Sequence, residues 1–377
     1  MLDIKIESAE EAKLEEALAK NIDPESIRLK RFLAMPDLSR TTGSPLKEIV
    51  DRTLKVKSLE GFDVIKVPEI VSTHVLFDLF NMPPGHPARS ASDTYYVNEE
   101  YVLRTHDTVF WYYYLHHPAI LERIKNSEPF GAICFGKVYR KDEIDRKHMN
   151  VFHQIGGLYL APDSKRTVTP DDLKGILSDI ARSIFGDDVK FRFYEHNFPY
   201  TDPSFEMEAE INGQWIEMLG SGLPRKSVLA NFDVHGYNGW AFGFGLERLA
   251  MASMDLPDIR LLWSNDERIK KQLGLGNKFK EVSKYPPITR DISFVVSKDF
   301  VPNNYFDLIR DIGGDLVEEV ELLDTYENPE KFGESKVSYT YRIVYRSPEK
   351  TLLASEIDPI QEKIYQETAV QFGAELR

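Results

Sequence analysis

The spacing of apolar residues changes period along the chain, and each change marks an element. Residues 1–40 read as a charged helical extension: AEEAKLEEALAKNI holds helix formers without a breaker until NIDPES punctuates it. In residues 41–273, Leu46, Ile49, Val50 and Leu54 recur at helical spacing, Gly61 ends that helix, and Phe62 to Ile70 reads as a strand. Pro68 interrupts the strand, and its missing N–H implies a sheet edge, a bulge or an interface. From about residue 90 the pattern turns to short alternating runs, AICFGKVYR, FHQIGGLYL, KFRFYEH, EAEINGQWIEMLG and GWAFGFG, with one amphipathic helix, DDLKGILSDIARSIFG, among them. This predicts an α+β class in which helices flank a largely antiparallel sheet. Residues 274–285, rich in Gly, Lys and Pro, read as a linker. In residues 286–377 the order strand (Asp291 to Val296), helix (Asn304 to Ile312), strand (Leu316 to Asp324), strand (Lys336 to Tyr345), helix (Ser355 to Phe372) and tail fits a ferredoxin-like split fold.

Composition narrows the class without choosing the chemistry. The 377 residues are 42% hydrophobic and carry a net charge of −14, which excludes a protein that coats nucleic acid through bulk charge. Any polyanion must meet local basic patches. The single cysteine, Cys134, leaves neither a disulfide framework nor a cysteine zinc site. The acidic N-terminus lacks the marks of a signal or transit peptide, so cytoplasmic residence is expected, with the mitochondrial matrix as the alternative had a transit peptide been removed. No apolar run approaches membrane-spanning length.

Two segments carry candidate chemistry. GKVYRKDEIDRKHMNVFHQ (136–154) reads as two strands joined by a charged loop, with Arg140, His148 and the ring of Phe152 within reach of one nucleotide. Guanidinium pairs with phosphate oxygens in a fixed fork, and an aromatic face stacks on a base. GWAFGFGLERLAM (239–251) places glycines in a strand and opens a helix with Glu247 and Arg248. Arg140 and Arg248, far apart in sequence, could together hold a triphosphate.

These segments, with the helix and strand around Pro68, resemble the three signature motifs of class II aminoacyl-tRNA synthetases. HPAR, DTYY, LRTH, FPYTDPSFEME and GLERLAM…DLPDIRLLW resemble the phenylalanyl-tRNA synthetases, and a catalytic core with a ferredoxin-like anticodon-binding tail on one chain resembles their single-chain, mitochondrial type. The resemblance implies ATP with Mg²⁺, phenylalanine and tRNA(Phe) as partners. It implies that Arg140 and Arg248 bind the ATP phosphates with His148, that Asp142 and Phe152 hold adenine, and that Gln154, Glu217, Phe198, Ala241 and Phe242 form the amino-acid pocket with His106, Thr108, Gly156 and Tyr200. Glu206 and Glu217 are candidate magnesium neighbours. Hydrolytic proofreading is not expected, and a monomer is expected, with dimerisation through the first motif left open.

The chain departs from the family pattern at several pocket positions. Asp107 and Thr108 stand where Thr-Ser is usual, Trp111 replaces a glutamine, Gly156 replaces a glutamate and Tyr200 a phenylalanine. A substrate ammonium still requires an anionic or polar partner, for which Asp107 and Glu217 are candidates. The same changes leave two alternatives: a synthetase for another aromatic amino acid, or a synthetase-like tRNA-binding or regulatory paralogue. From Lys278 onward there are 13 Lys and Arg against 19 Asp and Glu, a net of −6, so RNA contacts would fall to a local cluster including Arg290, Arg342 and Arg346.

Overall fold

The computed structural model describes residues 1–141, 145–347 and 349–377, which form two compact units, Met1–Phe279 and Lys280–Arg377. The first unit is built on β1 (Asp3–Lys5), β2 (Asp63–Lys66), β3 (Ile70–Ser72), β4 (Tyr101–Leu103), β5 (Phe130–Tyr139), β6 (Val151–Pro162), β7 (Lys190–His196), β8 (Thr201–Ile211), β9 (Gln214–Pro224) and β10 (Tyr237–Gly245). Eight of these make one sheet in the order β1-β2-β5-β6-β10-β9-β8-β7, and β3 and β4 pair separately.

The sheet is largely antiparallel, as the alternating runs predict, with two parallel pairs at one edge. β1 and β2, and β2 and β5, are parallel; the remaining pairs are antiparallel. Parallel neighbours here come from distant parts of the chain, which periodicity cannot report. The N-terminal segment likewise contributes more than helix. DIK is too short to register as a strand, yet Ile4 is buried and the strand closes one edge of the sheet. Helix Ala9–Lys20 is tied in by Glu11, whose carboxylate accepts from the backbone N–H groups of Glu69 and Ile70 at 2.6 and 3.0 Å. Pro68 lies in neither strand: it falls between β2 and β3, where the missing donor lets the chain leave the sheet.

β5 is buried at all ten positions because helices cover both faces. On one face the helices Pro45–Leu54, Pro170–Phe185 and Leu246–Met254 pack their apolar stripes on Ile133, Phe135, Ile155, Phe242 and Phe244. Pro170–Phe185 starts at a capping box in which Thr169 and Asp172 satisfy each other's backbone N–H groups. On the other face, Phe80, Trp111, Tyr114 and Leu115 pack on Ala132, Cys134 and Leu158, and leave part of the sheet uncovered for a cleft. Leu273, Leu275 and Phe279 also pack on the first core, so the first half of the segment read as a linker belongs to this unit.

The second unit contains β11 (Ile288–Ser297), helix Pro302–Gly313, β12 (Val317–Tyr326), β13 (Lys336–Tyr345), helix Ala354–Phe372 and β14 (Glu375–Leu376). Its sheet runs β12-β13-β11-β14, all antiparallel, as the β-α-β-β-α order and tail strand predict. Phe294, Tyr305, Tyr341 and Ile364 lie in its core. Among the described residues, no helix is long and apolar enough to cross a membrane.

Candidate active site

Cross-strand register decides the shape of the cleft floor. Cys134 of β5 pairs with Gly156 of β6, Gly156 with Gly243 of β10, Gly243 with Gly220 of β9, and Gly220 with Glu206 of β8. Three glycines therefore stand side by side across the sheet, and a sheet face without side chains in adjacent strands is a trench. Side chains from elsewhere in the chain fill it. A Cβ at Gly156 would meet Asp107 Oδ2 at 2.3 Å, one at Gly220 would meet Phe198 Cζ at 2.8 Å, and one at Gly243 would lie 3.4 Å from Asp107 Oδ1.

Above this floor lies a cleft of about 880 Å³. Arg140 leaves the end of β5, donates from Nε to the Thr105 carbonyl at 2.9 Å and carries its guanidinium 5.2 Å from the centre of the Phe152 ring. Phe152, Gln154 and Gly156 alternate on the cleft side of β6, while His153 and Ile155 turn to the opposite core. In the loop before β6, Asp145 accepts from the backbone of Lys147 and His148 and from His148 Nδ1 at 2.9 Å, bonds that hold its carboxyl below the usual range.

Arg248 enters from the first turn of helix Leu246–Met254, half exposed and paired with Glu217 at 2.9 Å. Its neighbour Glu247 turns inward, accepting from the backbone N–H of His153 at 2.9 Å and from His153 Nδ1 at 2.6 Å. Leu38 N–H donates to His153 Nε2 at 2.9 Å, which fixes the imidazole proton on Nδ1. The buried pair locks the helix bearing Arg248 onto the strand bearing Phe152. Sequence reasoning missed this role of Glu247; its signal is the adjacency of two charged residues, only one of which a helix can point at the cleft.

The remaining wall is aromatic. Phe198 and Tyr200 stack with ring centres 5.7 Å apart and planes 11° from parallel. Phe80, fully buried, presses edge-on against Tyr200, His106 and Trp111, a hub that the sequence reading did not single out. Burial, then the positive charge of Arg140, pulls His106 down to about 3, and both ring nitrogens lack hydrogen-bond partners among the described residues. Burial pushes the Tyr200 hydroxyl up to about 12. On β10, Ala241 faces this wall, whereas the Phe242 ring stacks between Trp240 and Phe244 in the core of the other face.

The first unit matches the model of the tRNA synthetases class II core domain (F) over residues 32–273, and the ferredoxin-fold anticodon binding domain matches residues 283–377. A chloroplastic/mitochondrial phenylalanine-tRNA ligase of Arabidopsis thaliana is 41% identical over 319 residues, covering 82% of this chain and 71% of that protein. The chain belongs to the phenylalanine-tRNA ligase family. The mitochondrial phenylalanine-tRNA ligase of Mus musculus is 36% identical over 343 residues, with 81% and 73% covered. The alpha subunit of Clostridium perfringens phenylalanine-tRNA ligase is 37% identical over 256 residues, with 64% and 72% covered.

Most of the ligase residues expected from sequence come together in this one cleft. Arg140, His148, Phe152 and Arg248 line it, as do His106, Thr108, Gln154, Phe198, Tyr200, Glu206, Glu217, Ala241 and Phe242. Gly156 lies beneath Asp107 as part of the floor, and Asp142 falls outside the described residues. Glu206 faces His196 at 3.3 Å, and no cluster of three metal-ligating side chains exists among the described residues. In the second unit, the three cations expected to meet RNA each hold a carboxylate: Arg290 pairs with Asp358 at 2.6 Å, Arg342 is bidentate to Asp291 at 2.8 and 2.9 Å, and Arg346 pairs with Glu318 at 2.9 Å.

Proposed function

We propose that this chain activates phenylalanine with ATP and transfers the acyl group to tRNA(Phe). The carrying observation is that Arg140 and Arg248, distant in sequence, line one cleft together with Phe152 and an aromatic wall. In the first step an oxygen of the phenylalanine carboxylate attacks the α-phosphorus of ATP, the bond to the β-phosphate breaks, and pyrophosphate leaves. The terminal ribose hydroxyl of tRNA then attacks the acyl carbon and releases AMP. No covalent bond to the protein is needed, so the work is positioning and charge stabilisation.

Arg140 suits the α-phosphate because its Nε bond to Thr105 fixes the guanidinium plane beside the Phe152 ring on which adenine would stack. Arg248 supplies charge for the outer phosphates with the His148 ring beside them, and Arg248 must exchange Glu217 for phosphate when ATP enters. The oxygen donors of Glu206 and Glu217 fit a magnesium ion that arrives with ATP, since such ions are held by one or two carboxylates plus phosphates and neutralise phosphate charge. Asp107 N–H donates to Gln154 Oε1 at 3.0 Å, so Gln154 offers its amide N–H groups to the cleft, a donor suited to an amino-acid carboxylate. Phe198, Tyr200 and Ala241 form the wall for an aromatic side chain. The organellar names of two of the relatives support the mitochondrial matrix over cytoplasmic residence.

Charging of a tRNA(Phe) transcript with labelled phenylalanine tests the proposal. Wild-type protein should charge it, and Arg140→Ala should lower kcat/KM by at least about 100-fold, as expected on losing a preorganised donor at the reacting phosphorus. Failure of the wild type to charge the transcript, or full activity in the variant, would refute the reading.

A further inference from the structure

We infer that Asp107, seated over the Gly156–Gly243 pair, is the carboxylate that binds the α-ammonium of the amino-acid substrate. This deepens the proposed function and rests on the cleft being an amino-acid-activating site.

Four observations carry it. Asp107 is 2% exposed yet lines the cleft, and its Oδ2 has no hydrogen-bond partner among the described residues. The Arg104 and Arg140 guanidiniums offset part of the burial cost, but neither hydrogen-bonds Oδ2, which leaves that oxygen open to a cation that arrives with the ligand. Of the other cleft-lining carboxylates, Glu206 faces His196, Glu217 holds Arg248, Glu247 holds His153 and Asp93 accepts from the Ser92 hydroxyl. Asp107 is also held in place: its backbone N–H is anchored to Gln154, which turns that amide's donors toward the cleft, so an acceptor for ammonium and a donor for carboxylate sit on one hydrogen-bonded pair. Last, the floor is cut to fit it. With Oδ2 only 2.3 Å from where a Gly156 Cβ would stand, any side chain at 156 would evict the carboxylate. One position supplies the space and the other the charge.

The same geometry ties the two positions together: Gly156 leaves room on the sheet for the acid that the loop supplies at position 107.

ATP-pyrophosphate exchange tests the assignment, using wild-type protein, Asp107→Asn, Gly156→Glu and the double variant Asp107→Thr/Gly156→Glu, with thermal unfolding of each. Asp107→Asn should fold and should raise the KM for phenylalanine on the order of 10- to 100-fold, the range for loss of a hydrogen bond to a charged group, while the KM for ATP holds. Inhibition by 3-phenylpropionate, which lacks the ammonium, should not respond to Asp107→Asn, whereas a merely structural role would weaken both ligands. Gly156→Glu should lose activity through crowding and doubled charge, and the double variant should recover much of it. An unchanged KM for phenylalanine in Asp107→Asn, an equal loss of 3-phenylpropionate binding, or a double variant no better than Gly156→Glu would overturn the assignment. A wild-type protein inert toward every amino acid would instead overturn the reading on which it rests.

Discussion

At the scale of single residues, Asp107 sets stability against function. Burial pushes its carboxyl up to about 7 from 3.8, against the downward pull of the Arg104 and Arg140 guanidiniums. The other groups facing it stay neutral near that pH: His106 is pulled down to about 3, while burial pushes Tyr200 and Cys134 up to about 12. A raised carboxyl pKa means the folded state holds the proton more tightly than the unfolded chain. Its contribution to stability is then fully present below about 4 and is lost as pH rises through about 7. At pH 8 the ligand-free protein should carry a penalty on the order of a few kcal/mol for the charge. Asp107→Asn should therefore melt several degrees higher than wild type at pH 8 in calorimetry, with the gap closing toward pH 4. The KM for phenylalanine should rise as pH falls below about 7, because the protonated carboxyl no longer pairs with ammonium. The sequence exposes Asp107 as a departure from a family pattern. It could not show that Gly156 lies under it, because that juxtaposition depends on a loop folding back over a strand some 50 residues away.

At the scale of elements, the β5–β6 hairpin and the strand GWAFGFG were legible because alternation and flanking turns mark them locally. The glycine row was not. Gly156, Gly220 and Gly243 become neighbours only through the pairing of β6, β10 and β9, and register between distant strands leaves no local trace. The short β1 and β3 escaped for a different reason: strands of three residues carry too little pattern to read. The row also yields a test of the aromatic wall. A methyl group at Gly220 would lie 2.8 Å from Phe198, so Gly220→Ala must displace the ring that stacks on Tyr200. The KM for phenylalanine should rise with little change in the KM for ATP, as steady-state exchange kinetics would show. Gly243→Ala, at 3.4 Å from Asp107, should perturb the amino-acid site far less.

At the scale of the whole molecule, the second unit matches an anticodon-binding fold, and its charge is the harder part to reconcile with RNA binding. Its Arg342–Asp291 pair is exposed, where an ion pair adds little to stability, so losing the arginine should not unfold the unit. Reversing the charge at Arg342 and Arg346 should weaken tRNA binding and flatten its salt dependence in filter-binding titrations while leaving amino-acid activation intact. Equal loss of both activities would show that these arginines hold the fold instead. The ferredoxin-like order of this unit was readable from sequence, since each of its elements is long and regularly patterned. The pairing of its arginines was not, because their carboxylate partners lie on other strands and helices.

If one cleft activates phenylalanine with ATP, ATP-pyrophosphate exchange across the standard amino acids will show it. Exchange should depend on phenylalanine, with tyrosine slower and the other amino acids near background. Faster exchange with tyrosine, or none with any amino acid, would contradict it.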